Sequence, residues 1–188
     1  MVLVCSLSVI LFLIGSAEAK GDALQYVNYT SYKYKIQFQY PTNWQQTEKI
    51  DNKDKGVDIA VTKNSNTSMA TFWIILGNGT KLGSDLQAGI KNLNESLMNI
   101  YKTNAYETIE PPAIITINGQ LTATFINSLA YKEDDIVFAF FEQTWLVYVG
   151  SKDYYLIGFK APVSSFNDPE NLQVRNQFIK SMKFLGRP

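Results

Sequence analysis

The longest aromatic and β-branched run in the chain covers residues 136–161, IVFAFFEQTWLVYVGSKDYYLIGFKA, and one polar turn at 150–153 interrupts it. Aromatic and β-branched side chains suit the half-buried surface of a pleated sheet, and a Gly-Ser-Lys-Asp turn can close a hairpin. The run therefore predicts two long antiparallel strands, residues 136–149 and 154–161, in the middle of a sheet. Pro162 ends the pairing because it has no backbone N–H to donate to a neighbouring strand.

The composition excludes several function classes. The chain contains no histidine, and its single cysteine, Cys5, lies in the N-terminal apolar segment. Cys–His and Ser–His–Asp catalysis, the usual zinc sites and disulfides all need these residues, so we expect no cofactor. Its 17 basic and 17 acidic residues balance and form no basic stripe, which disfavours nucleic acid as a partner. An enzyme would have to use Ser, Lys, Asp or Glu.

The N-terminus resembles a secretory leader. An apolar run at residues 2–14 precedes the small-residue sequence Ala17-Glu18-Ala19, which favours cleavage after Ala19 and a signal peptide at 1–19. The alternative is an uncleaved membrane anchor, although the run is shorter than the ~20 residues that a spanning helix needs. We therefore expect a secreted protein, or one on the extracytoplasmic face of the membrane, and any contact with the membrane only through this segment.

Four N-x-[ST] sequons follow the leader and could accept glycans in an exported protein. Their asparagines are Asn28, Asn66, Asn78 and Asn94. They support export only mildly, because an Asn-rich chain contains such sequons by chance.

Alternation of apolar and polar residues predicts the first strands. We interpret residues 20–31 as a linker and residues 32–40 as a strand with one buried face, because aromatic or branched side chains recur at every second position. Those side chains belong to Tyr32, Tyr34, Ile36, Phe38 and Tyr40. A short strand is expected from Gln45 onwards. Residues 57–63 and 70–76 predict a further strand pair.

Two helices and a second hairpin are predicted. Ser84 is the expected N-cap of an amphipathic helix that ends near 103–104, and Asp168-Pro169 opens the second helix with a capping side chain. Its buried face is expected to contain Val174, Phe178, Ile179 and Met182. Between the helices, Asn118-Gly119 predicts a tight hairpin turn within residues 105–131. Everything from 32 to 186 is expected to form one domain.

Two loops carry distinctive charges. The glycine-rich loop at 77–83 contains Lys81, and its glycine spacing differs from that of the phosphate-binding fingerprints, so a flexible loop is the better interpretation. Glu133, Asp134 and Asp135 form an acidic turn that could hold a hard cation, although neighbouring side chains rarely converge on one ion, which favours a solvated turn. Lys81, Asp134 and Asp135 are our candidate partner contacts, and a solvated surface is the alternative.

The order of these elements resembles the PsbP-like domains, named for the extrinsic protein of the photosystem II oxygen-evolving centre. The resemblance rests on YKIQFQYPTNW at 34–44, YYLIGF at 154–159 and FIKSMKF at 178–184, and it is strongest to small exported PsbP-like proteins of archaea. It implies an α+β fold, an antiparallel sheet covered by helices in an α/β/α sandwich. The histidine-based metal contacts of the plant protein have no counterpart here, which disfavours a photosystem II role.

Three function classes are open at this point. The first is an exported, non-enzymatic PsbP-like accessory domain, a monomer that binds another exported or membrane protein. The second is a small-ligand or lipid carrier, which needs a cavity that the large core side chains tend to fill. The third is a hydrolase, for which no motif is present. We prefer the first.

Overall fold

The computed structural model describes residues 24–48, 57–65, 68–78, 85–100, 106–133, 136–149 and 153–185. These ranges contain ten strands and two helices. In chain order they are β1 (Tyr26–Ser31), β2 (Ile36–Pro41), β3 (Gln45–Glu48), β4 (Ile59–Ser65), β5 (Ser68–Asn78), α1 (Leu86–Ile100), β6 (Tyr106–Ile117), β7 (Gln120–Glu133), β8 (Ile136–Val149), β9 (Asp153–Pro162), α2 (Pro169–Ser181) and β10 (Lys183–Phe184).

Seven strands form the large sheet, in the order β3-β4-β5-β9-β8-β7-β6, with antiparallel pairing throughout. The run that predicts the central hairpin forms β8 and β9, which pair from Val149↔Asp153 to Phe140↔Pro162. Both lie inside the sheet, since β7 flanks one and β5 the other. The prediction of two long central strands is therefore confirmed.

The small sheet, in the order β1-β2-β10, corrects the interpretation of the N-terminal part. Residues 26–31 of the expected linker form β1 and pair with β2, and residues 32–35, expected to be strand, form a turn. In this turn Tyr34 N–H donates to Ser31 Oγ at 3.3 Å, and Lys35 has a φ of 53°. The alternating sequence pattern did not reveal the turn, because Tyr34 is buried in the turn just as it would be in a strand. Tyr32, which the strand pattern also placed on the buried side, is 85% exposed.

One face of the large sheet, the α2 face, packs against α2 and the small sheet. Phe178 of α2 stacks on Phe72 of β5, with ring centroids 3.9 Å apart and planes 8° apart, and it also contacts Phe38 of β2 at 4.5 Å. Val174 and Met182 are buried beside it as predicted, and Ile179 is half-buried. Phe178 thus joins the helix to both sheets.

The start of α2 differs from the prediction in one detail. Asp168 precedes Pro169 as expected, but its side chain makes no capping hydrogen bond. Its backbone oxygen accepts the N–H of Leu172 at 2.9 Å, and Pro169 at the first position has no N–H that needs a partner. The helix therefore begins without the carboxylate cap.

The opposite face of the large sheet, the α1 face, packs against α1. Leu93 is buried in a second apolar cluster with Phe125 and Leu146, and Leu86 and Ile90 pack against it, as expected for the first half of the predicted amphipathic helix. Asp85 Oδ1 accepts the N–H of Ala88 at 2.9 Å and caps the helix, whereas the predicted cap, Ser84, lies outside the described residues. One helix packs on each face of the large sheet, so the predicted α+β sandwich is confirmed.

Of the helices that the structure describes, none is both long enough and apolar enough to cross a membrane.

Candidate functional site

A cleft of about 400 Å³ opens on the α2 face, between α2 and the strands β6 and β8. It exists because α2 packs over β5 and β9, where Phe178 contacts Phe72 and Arg175 lies over the Phe159 ring. The end of the sheet nearest β6 therefore has no helix above it. The large core side chains do not fill this part of the fold.

The sheet side of the cleft combines apolar and polar side chains. Ile115 and Ile117 project from β6 on the same face, and Trp145 projects from β8 and is buried. The amide of Gln143 also lines the cleft, and its Nε2 donates to Thr124 Oγ1 at 3.2 Å. A ligand here would meet an aliphatic and aromatic surface together with the amide groups of Gln143 and Asn118.

The helix side of the cleft carries a buried cation. Arg175 is only 7% exposed, and its guanidinium lies 4.3 Å from the ring centroid of Phe166 and 5.5 Å from that of Phe159. Its Nη2 donates to Asn167 Oδ1 at 3.4 Å, whereas its Nη1 is buried without a hydrogen-bond partner. Burial lowers the pKa of Arg175, and the charge of Glu110 acts in the opposite direction. One strong donor of this side chain is therefore unsatisfied.

The β6–β7 hairpin forms a second exposed feature at the edge of the sheet. Asn118 and Gly119 adopt φ angles of 47° and 81°, as the predicted tight turn requires, and Asn118 Nδ2 donates to the Met182 carbonyl. Ile114 and Leu121, here called the hairpin patch, lie on the α1 face as diagonal neighbours and are 51% and 64% exposed. An apolar patch thus lies on a hairpin tied to the end of α2.

A third feature is a buried carboxyl group beneath the α1 face. Glu142 is 5% exposed, and its Oε2 accepts the Nε1–H of Trp73 at 3.2 Å. Burial raises the pKa of Glu142, opposed by the Trp73 hydrogen bond and the charge of Lys160, which is its register partner. Asn127, the partner of Glu142 on β7, is buried with both amide atoms unpaired. Glu142 and Asn127 are both buried, so we assign them to the core.

The described part of the chain does not test the predicted contact and cation residues. Lys81, Asp134 and Asp135 lie outside the described residues, and Glu133 ends β7 with only its backbone described. Within the described ranges, no group of three or more His, Cys, Asp or Glu residues could hold a metal ion.

The predicted leader and most of the sequons are likewise untested. Residues 1–19 and Asn66 lie outside the described residues, and the side chains of Asn78 and Asn94 are not described. Asn28 is exposed on β1, where its Oδ1 accepts the Nε2–H of Gln39 at 3.0 Å.

Sequence reasoning missed Arg175 and Glu142. Glu142 had a visible signal, because it is the one charged residue inside the apolar run of β8. Arg175 had a weaker one, since it lies four residues before Ile179 on the buried side of α2. Neither signal states which partner the side chain would meet.

Comparisons with known proteins bear on the fold. The solution structure of cyanobacterial PsbP (CyanoP) from Synechocystis sp. PCC 6803 has a TM-score of 0.58 and 16% identity, and the match covers 88% of this chain and 97% of that chain. The crystal structure of LpqN, a protein involved in cell envelope biogenesis of Mycobacterium tuberculosis, has a TM-score of 0.54 and 10% identity. The match covers 85% of this chain and 90% of LpqN. No protein-family model and no curated protein sequence matches the chain. The chain therefore has a PsbP-like fold.

Proposed function

We propose that this protein is a non-enzymatic binding module that acts outside the cytoplasmic membrane and docks onto a partner protein through the hairpin patch. The observation that carries the proposal is the exposure of Ile114 and Leu121, 51% and 64%, as diagonal neighbours on the edge hairpin of the sheet. Clustered exposed apolar side chains favour a protein contact, whereas isolated ones do not. Ile109, in the irregular part of the same strand, is 45% exposed and extends the apolar surface along β6.

The partner contacts side chains and does not extend the sheet. β6 is one of the two edge strands of the large sheet, and a regular edge of this length offers a template for pairing with another strand. Pro111 and Pro112 interrupt it, because neither has an N–H to donate, and the register shifts on both sides of Glu110. The edge is thereby protected from strand addition, and the apolar side chains are left as the contact surface.

Two further observations support the location and the lack of catalysis. The leader-like N-terminus favours export, and the fold neighbour LpqN is involved in cell envelope biogenesis. The absence of histidine from the chain removes the commonest general base.

A photo-crosslinking amino acid at position 121 tests this proposal. In cells it should give an adduct with one cell-envelope protein, and Ile114→Asp should abolish that adduct. The matched control is position 137, because Val137 is 65% exposed on β8, outside the hairpin patch. With the purified partner, Leu121→Asp should weaken binding about tenfold or more, as for a residue central to an interface, while Val137→Asp should not.

Two outcomes would refute the proposal. Equal adducts at positions 121 and 137 would show that the hairpin patch is not the contact. Alternatively, the sole adduct at 121 could be a second copy of this chain, with Leu121→Asp converting a dimer to a monomer in sedimentation. In that case the surface would be a homodimer interface.

Surface changes of this type shift stability by roughly 0.5 kcal/mol or less, so all variants should remain folded.

A further inference from the structure

The cleft beside α2 has the size and chemistry of a small-molecule site. Its volume of about 400 Å³ falls within the roughly 300–1,000 Å³ that is typical of ligand pockets. Such pockets combine an apolar lining with a few placed polar groups, and here Ile115, Ile117 and Trp145 supply the lining. Among the polar lining residues, Arg175 is the buried cation.

The unsatisfied donor of Arg175 is the observation that points to a ligand. A buried guanidinium group normally has all its donors paired, because leaving a charged donor unpaired in the interior is costly. Arg175 Nη1 is buried without a partner, while the Phe166 and Phe159 rings hold the guanidinium in place. Arg175 also lines the cleft, so an oxyanion bound there would lie beside its guanidinium group.

The charges around the cleft also favour an anion. Lys180 lines it one helical turn beyond Asn176, and no Asp or Glu is among the lining residues. The acidic residue whose charge acts on the pKa of Arg175 is Glu110 on β6, which is exposed. Glu170, at the start of α2, is instead paired with Lys63 at 2.8 Å. The two cations of the cleft are therefore available to a negatively charged group.

We infer that this cleft binds a small amphiphilic anion, with a carboxylate or phosphate on Arg175 and an apolar chain against Ile115, Ile117 and Trp145. The site is separate from the hairpin patch, since Ile115 and Ile114 project from opposite faces of β6. The inference therefore does not depend on the proposed docking function.

Calorimetric titration of the full chain tests the inference with defined probes. Octanoate and octyl phosphate, below their micelle-forming concentrations, should bind with one-to-one stoichiometry. Octanol lacks the charge and inorganic phosphate lacks the chain, so each should bind at least about tenfold more weakly. If octanol bound as tightly as octyl phosphate, the cleft would be an apolar pocket without anion recognition. If inorganic phosphate bound as tightly, the cleft would recognise the anion alone. Either result would overturn the inference.

Two variants assign the binding to the cleft. Arg175→Lys keeps the charge but removes the planar set of donors. It should weaken the binding of octyl phosphate about tenfold. Arg175 also packs on two rings, so its replacement can affect stability as well as binding. The second variant is therefore Ile115→Glu, which adds a charge that repels an anion at a residue that is 37% exposed. Its matched control is Ile114→Glu, on the same strand but on the other face. Unchanged binding by folded Ile115→Glu, or equal loss in both glutamate variants, would overturn the inference.

Sedimentation with vesicles distinguishes the two sources of the anion. Co-sedimentation with phosphatidylglycerol vesicles, lost in Ile115→Glu, would assign the anionic group to a lipid headgroup. One-to-one binding of the soluble probes without co-sedimentation would assign it to a free amphiphile. Both outcomes support the cleft as the site, whereas vesicle binding that Ile115→Glu leaves unchanged would contradict it.

Discussion

Replacement of Phe178 by alanine is the most direct test of how the layers of this fold are joined. The Phe178 side chain is fully buried, and its ring lies between Phe72 of the large sheet and Phe38 of the small sheet. Phe178→Ala removes the ring from both contacts at once. Strands carry both neighbours, and their hydrogen-bonded partners hold them in place, so we expect little collapse into the space left behind.

The expected loss follows from this burial. Truncation of a buried phenylalanine to alanine typically costs about 3–5 kcal/mol, and the cost is higher where the site cannot collapse. For a domain of this length each kcal/mol lowers the Tm by roughly 2–4 °C, so the Tm should fall by about 6–20 °C. This is a large part of the roughly 5–15 kcal/mol by which such domains are stable.

Urea unfolding followed by circular dichroism measures the change. Tyr32→Ala is the matched control, because Tyr32 is 85% exposed in the turn before β2 and should lose no more than about 0.5 kcal/mol. Phe178→Leu should recover part of the loss, since it restores much of the buried volume. A loss below about 1 kcal/mol for Phe178→Ala would refute the packing of the Phe178 ring between the two sheets.

Three further changes test the interior and the acidic turn. Below about pH 4.5 the Glu142→Gln variant should have the same free energy of unfolding as the wild type. At higher pH the variant should become the more stable of the two. The reason is that burial raises the folded-state pKa of Glu142, so the wild type loses stability as the pH rises through that value; a difference in Tm that is constant with pH would contradict this. Gly158→Ala should cost about 1–3 kcal/mol, because the added carbon would lie 2.0 Å from Trp73 Cε2. That cost should largely disappear in a Trp73→Ala background, and additive losses would contradict it. EDTA should leave the Tm unchanged, whereas a drop of several degrees would support a cation at residues 133–135.

The sequence by itself determined the elements that depend on neighbouring residues. The aromatic run at 136–161 predicted the β8–β9 hairpin, and Asn118-Gly119 predicted the β6–β7 turn, because a tight turn selects its residues locally. The helices followed from apolar periodicity in the same way. The sequons, the leader and the two charged loops stay predictions, since the described residues do not test them.

Only the tertiary structure decided which elements meet and where the sites lie. Residues 26–31 look like a linker in sequence and become β1 because β2 is available to pair with them. Tyr155 donates to the carbonyl of Tyr34 across 121 positions, and Trp73 donates to Glu142 across 69. The cleft likewise joins Ile115 to Arg175 because α2 covers β5 and β9 and leaves the end of the sheet at β6 open. Local preferences decide turns and periodicity, whereas a cleft or a buried charge depends on the packing of distant segments, which no short stretch encodes.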